Sequence, residues 1–70
     1  MTLKIICRGC MVYVTVIETG FDDFGHPYQV CQSRGGRFFL GFYDPFDFEY
    51  TWDVFSRLED LYTYLHNYIK

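Results

Sequence analysis

The sequence predicts one small α+β domain spanning residues 1–70, in which an antiparallel β-meander of four to five strands carries a single C-terminal helix on one face (ββββ(β)α). Three observations predict it. Apolar and polar residues alternate with period two through most of the chain, as half-buried strands require. Stretches bearing glycine, proline or aspartate interrupt that alternation at Arg8-Gly9, Phe21–Pro27, Arg34–Gly36 and Asp44–Phe46. Only the stretch from Ser56 onward changes to a helical period. No repeat, linker or low-complexity tract marks a second domain.

Leu3–Arg8 and Cys10–Thr19 read as a hairpin around a two-residue Arg8-Gly9 turn, with Gly9 supplying the positive φ. That register gathers Leu3, Ile5, Cys7, Cys10, Val12 and Val14 on one face and leaves Lys4, Ile6, Met11, Tyr13 and Thr15 on the other. Tyr28–Ser33 and Arg37–Tyr43 form a second hairpin. A two-residue Gly-Gly turn would set Arg34 against Arg37. A three-residue loop with Gly36 left-handed instead pairs Val30 with Leu40 and Tyr28 with Phe42, which gathers the apolar residues and is the register expected.

Residues 46–53 alternate without a break, with Phe46, Phe48, Tyr50 and Trp52 against Asp47, Glu49, Thr51 and Asp53. An odd-length loop at Asp44-Pro45-Phe46 brings Phe42 near Phe48, Leu40 near Tyr50 and Phe38 near Trp52. One parity then links Tyr28, Val30, Leu40, Phe48, Tyr50 and Trp52 as core. In the helix, Ser56-Arg57-Leu58-Glu59 reads as a capping box with Ser56 as N-cap, and Glu59 and Asp60 suit the positive end. Leu58, Leu61, Leu65 and Tyr68 or Ile69 recur along one stripe beside Tyr62, and Lys70 suits the negative end.

The chain is short for independent folding, so its core must come from its aromatic residues, 8 Phe, 7 Tyr and 1 Trp. The net charge of −3 is unevenly spread: Asp44, Asp47, Glu49 and Asp53 fall between Phe38 and Phe55, a stretch with no Lys or Arg. Such a patch repels phosphate, so direct nucleic-acid binding is disfavoured and basic partners are favoured. No apolar run approaches the ~20 residues that cross a bilayer, so no membrane partner is expected. Met1 leads into a strand-like segment without a leader's charged and apolar regions. Three cysteines, an odd number, suit a reducing compartment, and the expected location is the cytoplasm.

Cys7-Arg8-Gly9-Cys10, with His26 and Cys31, has the residue types of a Cys3His zinc site. The spacing matches no standard site, and the registers put Cys31 on the face opposite Cys7 and Cys10. Three small packed thiols are the preferred reading, and no metal or cofactor is expected. Arg34-Gly35-Gly36-Arg37 resembles an arginine–glycine element but reads as a charged turn. His26 reads as a turn residue and His66 as a surface one. No nucleophile, base or carboxylate pair stands at a catalytic spacing, so no enzyme is expected.

The acidic face consists of Asp47, Glu49 and Asp53, joined by Asp44 and by Glu18, Asp22 and Asp23 from the other loop. It reads either as protection of an edge strand or as a row of carboxylates ~6.6–7 Å apart that imitates a nucleic-acid backbone. A second surface, Ile6, Met11, Tyr13, Ile17, Phe39 and Tyr43, lies away from the helix and offers an apolar patch unless the sheet curls over it.

By analogy alone, compact acidic chains rich in aromatic residues resemble phage and mobile-element inhibitors of host proteins. The expectation is a small acidic interaction module that binds and inhibits or modulates a basic partner, such as a nuclease or another nucleic-acid-binding protein. Asp44, Asp47, Glu49, Asp53, Asp22, Asp23 and Tyr43 would make the contact. The alternatives are a zinc- or thiol-stabilised module using Cys7 and Cys10, and a structural homodimer.

Overall fold

Arg8 and Gly9 both take positive φ (54° and 80°), the pair of values that a two-residue turn matched to strand twist needs. They join β1 (Thr2–Cys7) to β2 (Cys10–Phe21) in the expected register, with Ile5 opposite Val12 and Cys7 opposite Cys10. The computed structural model describes residues 1–69; the expected role of Lys70 lies outside them. β3 (Pro27–Ser33), β4 (Phe38–Asp44) and β5 (Glu49–Phe55) complete a five-stranded antiparallel meander in the order β1-β2-β3-β4-β5, and α1 (Leu58–Leu65) follows. The second hairpin also keeps its expected register, Val30 opposite Leu40 and Tyr28 opposite Phe42, with Gly36 at φ 85°. Ser33 holds this turn: its Oγ accepts the Arg37 N–H at 3.2 Å and its carbonyl accepts the Gly36 N–H at 3.1 Å.

Two features redistribute the faces. A β-bulge shifts the β2–β3 register between Val16, opposite Cys31, and Glu18, opposite Val30, leaving Ile17 as the extra residue. The bulge turns Glu18 and Gly20 toward the face that carries the helix. Ahead of the bulge, Val16 pairs with Cys31, which puts Cys31 on the face of Cys7 and not on the opposite one.

The second feature is the β4–β5 connection, which has an even length. Asp44 faces Glu49 across the turn Pro45–Phe48, so Tyr43 faces Tyr50, Gly41 faces Trp52 and Phe39 faces Val54. The odd-length loop does not form because the Asp44 side chain accepts the Phe46 N–H at 2.9 Å, closing a local turn, and Phe48 enters the left-handed region at φ 57°. Trp52 adds a steric reason: its ring occupies the space over Gly41, where a Cβ would lie 2.6 Å from ring carbon Cζ3. The strand therefore starts at Glu49, not at Phe46. Phe46 and Phe48 leave the core, while Thr51 and Asp53 stand opposite Phe42 and Leu40.

Both faces of the sheet are buried in part. The inner face encloses Ile5, Cys7, Val14, Cys31 and Phe39, flanked by Leu3, Val12, Val16, Trp52 and Val54. It closes because the sheet curls until β1 meets β5, where the Cys7 thiol donates to the Trp52 carbonyl at 3.7 Å. The outer face packs Tyr28, Val30 and Leu40 under Leu61 and Leu65, with Phe38, Phe42, Phe55, Leu58, Tyr62, Tyr64 and Ile69 around them. Trp52 thus packs against the inner core, with Tyr50 beside it on the same face, and Tyr28, Val30 and Leu40 belong to the other core.

The supposed apolar face opposite the helix is likewise redistributed. Phe39 is buried inside the curl, Tyr43 is half-buried beside Tyr50, and Ile6, Met11, Tyr13 and Ile17 are exposed where α1 does not reach. Cross-strand pairing sets Ile6, Met11 and Tyr13 on the helix-bearing face.

The helix begins two residues after Ser56. Arg57 is the N-cap (φ −131°, ψ 138°), it makes no side-chain capping bond, and its guanidinium pairs with Glu59. Ser56 lies outside the cap, so the capping box is not formed. The expected stripe of Leu58, Leu61 and Leu65 does face the core.

Candidate protein-binding pole

An antiparallel meander returns alternate connections to the same end of its sheet. The β2–β3 loop (22–26) and the β4–β5 turn (45–48) therefore share one end, where the helix also finishes; the Asp23 N–H donates to the Tyr68 carbonyl at 3.0 Å. This end carries Asp22, Asp23, Asp44, Asp47 and Glu49. It also carries Phe21, Phe24, Phe46 and Phe48, all exposed, with Phe46 90% and Phe48 80% accessible. The β1–β2 turn, the β3–β4 turn and the β5–α1 junction occupy the other end and carry Arg8, Arg34, Arg37 and Arg57. The β1–β2 and β3–β4 turns are thus basic and the loops of the opposite pole acidic, while at the β5–α1 junction Arg57 is offset by Glu59, its ion-pair partner, and by Asp60.

The acidic residues divide by task. Asp22 builds its loop: Oδ1 accepts the Phe24 and His26 N–H groups at 2.9 and 2.8 Å, and Oδ2 stands 3.5 Å from His26 Nδ1. Its side chain is only 4% exposed, so it is scaffold and not contact surface. Asp44 does the same for its turn. Asp23, Asp47 and Glu49 are exposed at the pole. Asp47 sits in the turn, so the evenly spaced row with Glu49 and Asp53 does not exist. Asp53 is exposed but near the far end of β5, away from the pole. Tyr43 is half-buried and packs its ring 5.5 Å from that of Tyr50. Glu18 is also structural: Oε1 accepts the Tyr62 hydroxyl at 2.6 Å and Oε2 the Tyr28 hydroxyl at 3.2 Å.

Read from the sequence, strand alternation places Phe46 and Phe48 on a buried face, whereas Phe21 and Phe24 fall in a turn-rich connection with no role of their own. The signal is nonetheless present: Phe-Asp-Asp-Phe-Gly and Pro-Phe-Asp-Phe-Glu place Phe among turn formers, where no neighbouring strand can cover it.

The thiol and histidine set is not gathered. His26 lies at the acidic end, whereas Cys7 and Cys10 flank the opposite turn; Cys7 and Cys31 are buried and Cys10 is exposed. Burial pushes the Cys31 thiol up to about 11. Burial also raises Cys7, against a smaller lowering by Arg8 and with smaller raising effects from Asp53 and Cys10. Both shifts disfavour the thiolate form. Among the described residues, no three His, Cys, Asp or Glu side chains cluster as a metal site would require. No helix among them is long and apolar enough to cross a membrane. No known protein family, characterised protein or solved structure matches the chain.

Proposed function

We propose that this chain is a non-enzymatic interaction module whose acidic, phenylalanine-bearing pole binds a basic surface of a partner protein and modulates it. One observation carries the reading: Phe21, Phe24, Phe46 and Phe48 are all left in solvent at the end that also presents Asp23, Asp47 and Glu49. Exposing several large rings in one region has no benefit for folding, and aromatic anchors ringed by charge are how protein interfaces concentrate affinity. The carboxylates provide steering toward a basic surface and specificity against acidic ones. A nucleic-acid-handling protein, whose working surface is basic, is the partner class this chemistry favours, and blocking that surface is the mode of modulation.

The test is capture from native host lysate on the immobilised full chain, with identification of the retained proteins. The expected outcome is a basic protein retained by the wild type and released by salt. It should be lost with Asp47→Lys/Glu49→Lys and, separately, with Phe46→Ser/Phe48→Ser. Equal retention by both variants overturns the proposal.

A further inference from the structure

The arginine end contains a groove complementary to the acidic end of the same molecule. β2 outruns its neighbour: β3 pairs with it only from Val14 onward, so Cys10–Tyr13 have β1 as their single ladder partner among the described residues. A groove of about 960 Å³ opens in the step between this overhang and the β3–β4 turn. Met11, Tyr13 and Ile17 supply an apolar wall, Thr15 and Gln32 a polar floor, and Arg34 the rim. Met11, Tyr13 and Ile17 are all exposed, and the overhang keeps unpaired strand-edge backbone beside them.

We infer that this groove receives the Pro45–Phe48 turn of a second copy of the chain, which makes the module self-associate head to tail. The two surfaces match in chemistry. The turn projects Phe46 and Phe48 on either side of Asp47, while the groove offers apolar side chains beside the Arg34 guanidinium, with Arg8 and Arg37 at the same end. They lie at opposite ends of the sheet, so one molecule cannot satisfy itself. Each copy then carries one free turn and one free groove, and the contact propagates as a chain instead of closing as a two-fold dimer. The inference rests on the acidic pole being a recognition surface and names one partner for it. A basic protein with higher affinity would compete for the same turn.

Sedimentation velocity of the full chain over a concentration series tests it. The wild type should grow in mass with concentration without stopping at two copies, and should shrink toward monomer in high salt. Asp47→Ala disables the turn and Arg34→Glu disables the groove, so each variant alone should associate about tenfold more weakly or worse. Mixed in equal amounts, they should yield a 1:1 complex that grows no further, because one intact turn and one intact groove remain. Phe46→Ser and Met11→Ser form a second such pair, and circular dichroism checks that each variant is folded.

A wild type that stays monomeric at every concentration, or a mixture that stays monomeric, overturns the inference. So does a dimer that both single variants still form. Arg34→Glu leaves the acidic pole intact, so partner capture by this variant, in the absence of self-association, would leave the proposed function standing while the head-to-tail contact fell.

Discussion

The Tyr62 hydroxyl donates to Glu18 Oε1 at 2.6 Å, joining α1 to β2, a strand outside those that the helix mainly covers. The second carboxylate oxygen accepts from Tyr28 on β3, so one side chain ties three elements. The bulge at Ile17 is what points Glu18 this way. Glu18→Ala removes both acceptors and leaves two partly buried hydroxyls unpaired, which should lower stability by about 1–3 kcal/mol. The Glu18 bond is the main reason that Tyr62 is pushed up to about 12, ahead of burial. The variant should therefore also return Tyr62 toward ordinary tyrosine ionisation. Chemical denaturation and ultraviolet titration read the two effects; an unchanged unfolding midpoint would refute the clamp.

Alkaline pH should destabilise the fold before any backbone chemistry does. Burial pushes Cys31 up to about 11, and the Tyr68 hydroxyl, more than burial, holds Tyr64 up to about 12. Tyr62 is at about 12, and Tyr28 is raised by burial first and by Glu18 second. The unfolded chain releases these protons near the ordinary values of 9.0 and 10.0. Below pH 9 both states are protonated and the stabilisation is complete. As pH climbs from about 9 to about 12 the unfolded state loses protons first, so stability falls with pH. Denaturation midpoints measured between pH 8 and 11 should decline steadily above 9; a flat profile would contradict the assignment.

Gly41 and Trp52 provide a steric test of the β4–β5 register. A methyl at Gly41 would meet the indole at 2.6–2.8 Å, so the ring must shift to admit it. Gly41→Ala should cost about 1–3 kcal/mol by overpacking and should shift Trp52 fluorescence as the ring is displaced. If the variant were as stable as the wild type with an unchanged spectrum, Trp52 would not lie over Gly41.

What could be read in advance follows the residues that leave the chain few choices. Gly9 and Gly36 need positive φ in their turns, and that need sets both hairpin registers. Leu58, Leu61 and Leu65 recur at a spacing that only a helix gathers. The misreadings sit where conformation is not written in residue type. No glycine marks the bulge at Ile17, and nothing about phenylalanine announces that Phe48 will turn left-handed. With that turn the parity of β5 changes, Tyr50 and Trp52 come to the inner face and Phe46 and Phe48 are expelled. The acids of the pole were legible because charge is a property of composition. The split between Asp22 and Asp44 as loop builders and Asp47 and Glu49 as free surface depends on hydrogen bonds that only the folded loops define.

Phe48 brings the fold and the proposed function into opposition. It holds a left-handed backbone conformation, which is unfavourable by about 1–2 kcal/mol for a residue with a Cβ, and it covers nothing, with its ring 80% exposed. Glycine takes that conformation without strain, at some loss in chain entropy. Phe48→Gly should therefore leave stability unchanged or raise it by up to about 1 kcal/mol, while Phe42→Gly, which removes a ring packed against Tyr28 and Tyr68, should lower it markedly. The same Phe48→Gly change should weaken partner capture, because a stabilising loss of an exposed ring is what an anchor residue predicts and a packing residue forbids. Thermal melts of the two variants beside the capture assay decide it: a strongly destabilised Phe48→Gly would mean that the ring belongs to the fold, and undiminished capture would mean that it does not belong to the interface.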